Sequence, residues 1–440
     1  RANPRSRRPP RRSGGAAAEP SRRLVWSVAE TRVKYLFVHQ NFPGQFLHIV
    51  RHLVATRQHD LVFMTEPNAN VIAGVRKVPY RKPRGASVET HPAVRELDAA
   101  MRRADAVAIT AANIKQLGYE PDIIIGHHGW GELLNIRDVW PKAPLLGYLE
   151  FFYHTHGLDV GFDPEFPPEP NDDERVRVKN AVNLLALNLD GHGQTPTDWQ
   201  LATYPAWARP QIALLREGVN LKICHASPKV RREPLVIGGA TIAPRDKLIT
   251  YVARELEPYR GFHILMRALP HLLKARKDVR VVIVGGDSVS YGMPPAGNGN
   301  WRQVMLKELG DQIDPARVTF PGKIDYEVYI RMLQRSDAHV YLTYPFVASW
   351  SLREALATGC AIVASDTGPV REFIRHRRNG VLTPFLDHKA LADRILEVLE
   401  DKALSTRLRA NARAYAETHL DVETHLKGFN ALIQKLVNGR

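Results

Sequence analysis

Residues 340–383 read strand, loop, helix, strand, turn, helix, strand, and this stretch constrains the fold most. Val340, Tyr341 and Leu342 form a short apolar strand, and residues 345–351 are a loop of turn residues and aromatics. Residues 352–358 suit a helix closed by Gly359, residues 361–364 a buried strand, and Asp366-Thr367-Gly368-Pro369 a turn opening onto a second helix. Strands alternating with helices specify a parallel sheet. Ligands of such sheets sit at the carboxyl ends of the strands. Two helix N-termini point at that rim, and their partial positive charge suits an anionic guest.

The same alternation runs through the rest of the chain, whose 440 residues are too many for one ordinary core. Strands are expected at 33–39, 61–65, 121–126, 145–149, 248–252, 279–284 and 318–320, with helices at 46–57, 92–117, 174–187, 262–274 and 326–335. Thr195 is expected to cap a further helix with Pro196 in its first position. Residues 74–92 read as a polar excursion, 224–247 as a linker, and 288–300 as a flexible segment. The fold class is therefore α/β, with two Rossmann-like parallel-sheet domains. No run of roughly 18 apolar residues is present, so no membrane-spanning helix is expected. Cys224 and Cys360 have neither metal-site nor disulfide-framework spacing, which fits a reducing compartment. No apolar stretch of signal-peptide type follows the basic N-terminus, so no secretory signal is expected.

Of the net charge of +15, residues 1–34 supply +8, from ten Arg or Lys and two Glu. This Arg-, Pro-, Gly- and Ala-rich segment cannot build a core and reads as a disordered tail, residues 1–32. Its charge suits an anionic membrane surface or has no specific partner. No nucleic-acid partner is expected, because no basic groove interleaved with aromatics accompanies it.

The candidate site residues lie where strands end. Gly44, in the turn after the first strand, either lets amides approach a phosphate or serves a plain strand-to-helix turn. His127 and His128 follow the strand at 121–126. Either one of them points into a cleft as a hydrogen-bonding or acid/base group, or both cap the next helix. Glu150 and Tyr153 suit contact with a sugar ring, or form core and rim. The acidic, proline-rich loop at 157–173 has the character of a loop bordering a binding site. Arg254 and Arg260 flank one strand-to-helix loop, where two guanidiniums pair with a diphosphate or remain surface charges.

Ordered along nearly all of the folded chain are F-P-G-Q-F at 42–46, P-D-I-I-I-G-H at 121–127, E-G-V-N at 217–220 and A-R-E-L-E-P-Y-R-G-F at 253–262. I-V-G-G at 283–286, F-P-G-K-I at 320–324, R-E-A-L-A-T-G-C-A-I-V-A-S at 353–365 and T-G-P-V-R-E-F at 367–373 follow. With these motifs the chain resembles the GT-B glycosyltransferases of family 4, retaining enzymes that use nucleotide-activated sugars. The resemblance implies two domains facing a central cleft. Residues 33–228 would be the acceptor domain, 229–415 the donor domain, and 416–440 a helix crossing back to the first.

It also implies roles for residues of this sequence. Gly44, Arg254 and Arg260 would hold the donor diphosphate, Arg260 standing where the family usually has lysine. Ser351 and Leu352, at a helix start, join them. Glu354 would bind the ribose, although Ser351-x-x-Glu354 also reads as a capping box. Lys323 and Ile324 would meet the base. His127 matches the family histidine that contacts the donor sugar and is the candidate catalytic residue. Phe346 falls where the family carries a glutamate beside the transferred sugar, and Ser349 where it carries glycine. Together with Glu150 and Tyr153 these line the expected donor-sugar or acceptor side. No D-x-D occurs, so neither a metal nor another cofactor is expected.

The expected function is retaining transfer of a sugar from a nucleotide diphosphate sugar to a glycan, lipid-linked or small-molecule acceptor. The alternative, prompted by Phe346, is a non-catalytic GT-B module that binds a sugar nucleotide or glycan. The expected location is cytoplasmic, at most peripheral at the inner face of a membrane.

Overall fold

The computed structural model describes residues 32–439, so all of the expected basic tail except Arg32 lies outside the described residues. In chain order the first half comprises β1 (Lys34–Val38), α1 (Leu47–Thr56), β2 (Asp60–Thr65), β3 (Arg76–Pro79), α2 (Arg95–Gln116) and β4 (Ile123–His127). It continues with α3 (Ile136–Val139), β5 (Leu145–Tyr148), α4 (Asp172–Leu187), β6 (His192–Thr195), α5 (Asp198–Thr203) and β7 (Ile212–Leu214). Its seven strands form one sheet in the order β3-β2-β1-β4-β5-β6-β7, and every pairing is parallel.

The second half opens with an antiparallel hairpin, β8 (Leu235–Ile237) and β9 (Ala240–Ile242). Then come β10 (Lys247–Glu255), α6 (Phe262–Ala275), β11 (Val279–Gly286), α7 (Trp301–Leu309), β12 (Val318–Gly322), α8 (Tyr326–Arg335) and β13 (Ala338–Tyr341). They are followed by α9 (Trp350–Thr358), β14 (Ile362–Ser365), α10 (Gly368–Arg371), β15 (Val381–Thr383), α11 (His388–Glu400), α12 (Lys402–His419) and α13 (Val422–Asn438). Six strands form the second sheet in the order β12-β11-β10-β13-β14-β15, again all parallel.

Both sheets are buried on both faces because successive residues of their central strands are apolar. On β1, Tyr35 and Phe37 pack with residues of α1 and α13, while Leu36 and Val38 pack with residues of α2 and α3. On β10, Ile249 and Tyr251 pack with residues of α6 and α11, and Leu248 joins residues of α8, α9 and α12. Helix α13 returns to the first half, where buried Phe429 and Ile433 join Tyr35, Phe37 and Ile123. Strand order reverses between β1 and β4, and again between β10 and β13. Such reversals splay the following loops apart and open a crevice at the carboxyl edge.

Four local expectations are corrected. The excursion at 74–92 contains β3, an edge strand ending in Pro79, and an edge tolerates a residue without an N–H. Helix α5 is capped by Thr197, whose side chain accepts from the Gln200 amide, because Thr195 is still paired in β6. The segment 224–247 includes the hairpin, whose Leu235, Ile237 and Ile242 are buried in the core of the second half.

The loop at 157–173 is the fourth. Three of its carboxylates, those of Asp159, Asp163 and Glu165, are spent on the second half, so it acts as a strap between the halves. Asp163 accepts from His263 Nε2 and from the Tyr344 hydroxyl, both at 2.9 Å. Glu165 is paired with Arg267, and the Tyr259 hydroxyl donates to Asp159. Asp163, Glu165 and His263 lie close enough together to suggest a metal site, but the Arg267 guanidinium already neutralises Glu165. On the other side Gly368 admits the Trp199 ring, which lies 2.1 Å from where a Cβ would stand.

Candidate functional site

A cavity of about 940 Å³ lies between the carboxyl edges of the two sheets. The first half contributes the turn after β1, with His39 and Gly44, together with Glu150 after β5 and Glu217 after β7. The second half contributes Arg254, Arg260, Lys323, Ile324, Ser349, Ser351 and Glu354. The chain thus gathers residues more than 300 positions apart in one crevice.

Gly44 has φ +54°, and a Cβ there would lie 2.8 Å from His39 Nδ1. The turn therefore needs glycine both for its backbone and for the neighbouring imidazole. His39 is buried, and burial followed by the nearby His127 holds its pKa down at about 3, so it is neutral. It accepts the Asn41 amide at 2.8 Å and shapes the turn. Glu132, buried after β4, accepts the Gln40 amide at 3.0 Å.

Arg254 and Arg260 share the cavity but not an environment. Arg254 is exposed at the end of β10 and forms no hydrogen bond or ion pair among the described residues. Arg260 is buried, donates to Thr343 Oγ1 at 2.7 Å and the Val347 carbonyl at 2.9 Å, and lies over the Tyr291 ring. The loop carrying Tyr291 is held by buried Glu257, which accepts the Ser290 amide at 3.1 Å and the Gly292 amide at 3.0 Å. Lys323 pairs with Glu255 at 2.6 Å, across Gly286.

Helix α9 begins at Ser349, which has extended dihedrals and no side-chain cap. The first amides of a helix have no partner within it, so its start presents N–H groups to the cavity. Ser351 lines the cavity, but Leu352 does not: its side chain is core and its amide bonds to the Ser349 carbonyl at 3.2 Å. The capping-box reading of Glu354 fails, because Glu354 accepts from the Tyr326 and Tyr329 hydroxyls at 2.8 and 2.9 Å. A carboxylate has about four acceptor positions, so others remain for a ligand. Burial raises the Glu354 pKa, and the two tyrosine hydrogen bonds partly offset this.

Phe346 is also relocated. It is 2% exposed and packs with Phe151 at a 4.7 Å ring separation in an aromatic cluster between the halves. Its carbonyl accepts from Trp199 Nε1 at 2.9 Å. It therefore supports the contact between the halves and does not line the cavity.

His127 and Tyr153 border a second, smaller cavity of about 190 Å³ in the first half. His127 is buried, accepts the Gly129 amide through Nδ1, and places Nε2 3.5 Å from Glu150 Oε2. Burial alone would raise the Glu150 pKa, but His127, Arg254 and Arg260 outweigh it and hold the carboxyl below its ordinary value. His128 points away, against Gly147, and burial lowers its pKa to about 3.

Sequence reasoning missed His39, Glu217 and Trp350. His39 ends the strand before the Gly44 turn, and that place is its signal. Glu217 belongs to the E-G-V-N motif, yet its role appears only in three dimensions: it accepts from the Tyr148 hydroxyl at 3.1 Å and from Trp350 Nε1 at 2.7 Å. Among the described residues no helix is long and apolar enough to cross a membrane.

Comparison with known proteins matches residues 57–224 to the glycosyl transferase family 4 group and residues 239–415 to glycosyl transferases group 1. A phosphatidyl-myo-inositol mannosyltransferase of Mycobacterium leprae is 27% identical over 195 residues, 43% of this chain and 45% of that protein. A D-inositol 3-phosphate glycosyltransferase of Streptomyces avermitilis is 26% identical over 257 residues, 57% of this chain and 52% of that protein. The chain thus spans about half the length of the curated relatives it matches. In overall shape it is similar to a sucrose-phosphate synthase from Thermosynechococcus elongatus, with TM-score 0.70, 18% identity, and coverage of 93% of this chain and 100% of the other. HepE of Anabaena, solved in complex with UDP-glucose, gives TM-score 0.64 and 18% identity over 92% of this chain and 100% of that one. Both halves carry glycosyl transferase signatures in chain order on two facing Rossmann-like sheets, and the chain belongs to the GT-B glycosyltransferases of family 4.

Proposed function

We propose that the protein transfers a hexose-type sugar, with retention, from a nucleotide diphosphate sugar to a glycan, lipid-linked or small-molecule acceptor. The observation that carries this reading is Arg254, unpaired among the described residues in the same cavity as the Gly44 turn and the start of α9. In the reaction the anomeric carbon loses its bond to the diphosphate, which leaves with the electron pair, and gains a bond to the oxygen of an acceptor hydroxyl, whose proton is released. Preorganised positive groups aimed at such developing charge are usually the largest catalytic contribution. Arg254 and the α9 amides fill that role, with Arg260 reinforcing the field from behind. Glu354 takes the ribose, while Lys323 and Ile324 border the base. No metal or other cofactor enters this reading.

A uridine nucleotide is the first donor to test, since a structural neighbour was solved with UDP-glucose. Release of UDP from UDP-glucose, followed alongside thermal shifts with a panel of nucleotide sugars, tests the proposal. A true donor stabilises the fold by mass action. Donor stabilisation without nucleotide release would instead favour the non-catalytic module, the reading that Phe346 in the glutamate position motivates. For the basic N-terminal segment and a cytoplasmic protein, peripheral contact with an anionic membrane is the matching proposal. Liposome co-sedimentation with and without residues 1–31 tests it.

A further inference from the structure

Helix α9 starts without a cap. Ser349 makes no side-chain bond to the first turn, and its hydroxyl lies 2.6 Å from that of Ser351. A capping side chain usually ties down the free amides of a first turn. Here a cap would occupy amides that a diphosphate needs, so the turn has to be held from another direction.

Glu217 holds it. Trp350 and Arg353 stand three positions apart on α9, so they share one side of its first turn. Glu217 Oε2 accepts from Trp350 Nε1 at 2.7 Å and lies 3.6 Å from a guanidinium nitrogen of Arg353. Its other oxygen accepts from the Tyr148 hydroxyl at 3.1 Å, and the Tyr148 ring stacks on His127 with centroids 5.3 Å apart. Glu217 and Arg353 are both buried, so this is no solvated surface pair. The first half grips Trp350 a second time, because His48 of α1 stacks on its ring at 5.3 Å.

The backbone beside Glu217 is fixed as well. The two crossings of the chain between the halves run side by side there. The Val219 amide donates to the Leu420 carbonyl at 2.8 Å, and the Val422 amide donates to the Val219 carbonyl at 3.1 Å. Gly218 permits this approach, since a Cβ there would lie 2.6 Å from Val422 Cα.

We infer that Glu217 is a positioning residue for the transfer, bracing the first turn of α9 from the crossing so that its amides stay free and aimed at the donor diphosphate. This rests on the donor reading above. Arg353 neutralises the carboxylate, which therefore lines the cavity without repelling an anion. Amides fixed in advance need no reorganisation as charge develops on the leaving group.

The test compares Glu217→Leu, Trp350→Phe and Glu217→Gln in the full chain. Leucine removes both acceptor oxygens. Phenylalanine removes only the indole N–H and keeps a ring on His48. Glutamine keeps an acceptor for Trp350 Nε1. Titration with UDP and with uridine separates the diphosphate from the rest of the nucleotide, and hydrogen exchange of residues 349–354 without ligand reads the order of the turn. Glu217→Leu should weaken UDP binding about tenfold or more, the scale of one lost charge-assisted hydrogen bond, while leaving uridine binding unchanged. Its first-turn amides should exchange faster. Trp350→Phe should shift both readouts in the same direction, and it decides the matter if Glu217→Leu fails to fold. Glu217→Gln should recover most of the loss. Equal weakening of UDP and uridine overturns the inference, since a merely structural carboxylate would act on both. So does unchanged UDP affinity and exchange in Trp350→Phe, or a Glu217→Gln variant as impaired as a folded Glu217→Leu. If the unaltered chain binds no UDP, the donor reading fails. The exchange measurement then decides the bracing alone: faster exchange in the variants sustains it, and unchanged exchange overturns it.

Discussion

Replacing Arg254 by alanine separates a functional charge from a structural one. The guanidinium is exposed and has no hydrogen bond or ion pair among the described residues, so folding loses little. Surface substitutions of this kind stay within about 0.5 kcal/mol, and the melting temperature should move by no more than about 2 °C. The reaction loses much more. Removing one preorganised donor from a developing oxyanion costs about 3–4 kcal/mol, or a factor of about 10²–10³ in kcat. Arg260→Ala is the contrasting variant. It leaves Thr343 Oγ1 and the Val347 carbonyl without their buried donor. Each unmet buried group costs about 1–3 kcal/mol, so both stability and turnover should fall. The assay is UDP release from UDP-glucose, paired with calorimetric melting of each variant. Turnover of Arg254→Ala within about threefold of wild type, well short of the loss expected for an oxyanion donor, refutes the diphosphate assignment. A drop in its melting temperature matching that of Arg260→Ala refutes the claim that it is structurally free.

Gly44→Ala should impair donor binding and lower stability by about 1–2 kcal/mol, because it strains a left-handed turn against His39; UDP titration and melting read the two effects. Glu354→Gln should raise KM for the donor about tenfold with little change in kcat, the signature of lost ground-state binding; an unchanged KM removes the ribose assignment. Asp163→Ala strands His263 Nε2 and the Tyr344 hydroxyl across the strap, so melting should show about 2–4 kcal/mol of destabilisation, with a larger radius of gyration in X-ray scattering. Stability should decline as pH falls below about 6.5. Burial holds His39 and His128 near 3 and His339 near 4, against about 6.5 unfolded, so the unfolded chain takes up protons that the folded one refuses. Each such histidine contributes roughly 1.4 kcal/mol per pH unit in that window. Raised carboxyls such as Glu132 and Asp159 oppose the trend, so the net slope is smaller than the sum; pH-dependent chemical denaturation measures it.

Much of the architecture was legible in the order of residues, because its causes are local. Apolar runs that pack on both faces, separated by helical stretches, have no good solution other than a parallel sheet with helices on either side. Gly44, Arg254 and Glu354 reach the cleft because a strand end or a helix start puts them there, and those ends were readable from turn chemistry. Partners across the molecule were not readable. Phe346 sits in a loop whose sequence suits a binding site, yet packing between the halves turns it into a buried wedge against Phe151. Glu354 read as a ribose ligand and also as a helix cap, and the hydroxyls of Tyr326 and Tyr329 removed the cap reading by claiming its oxygens. The acidic loop at 157–173 resembled the lip of a pocket, and only the second half, meeting it through His263 a hundred positions from Asp163, made it a strap. Which side chains pair is settled by how two independently built sheets dock. That docking depends on the summed shape and charge of surfaces drawn from the whole chain, information that no short stretch of residues contains.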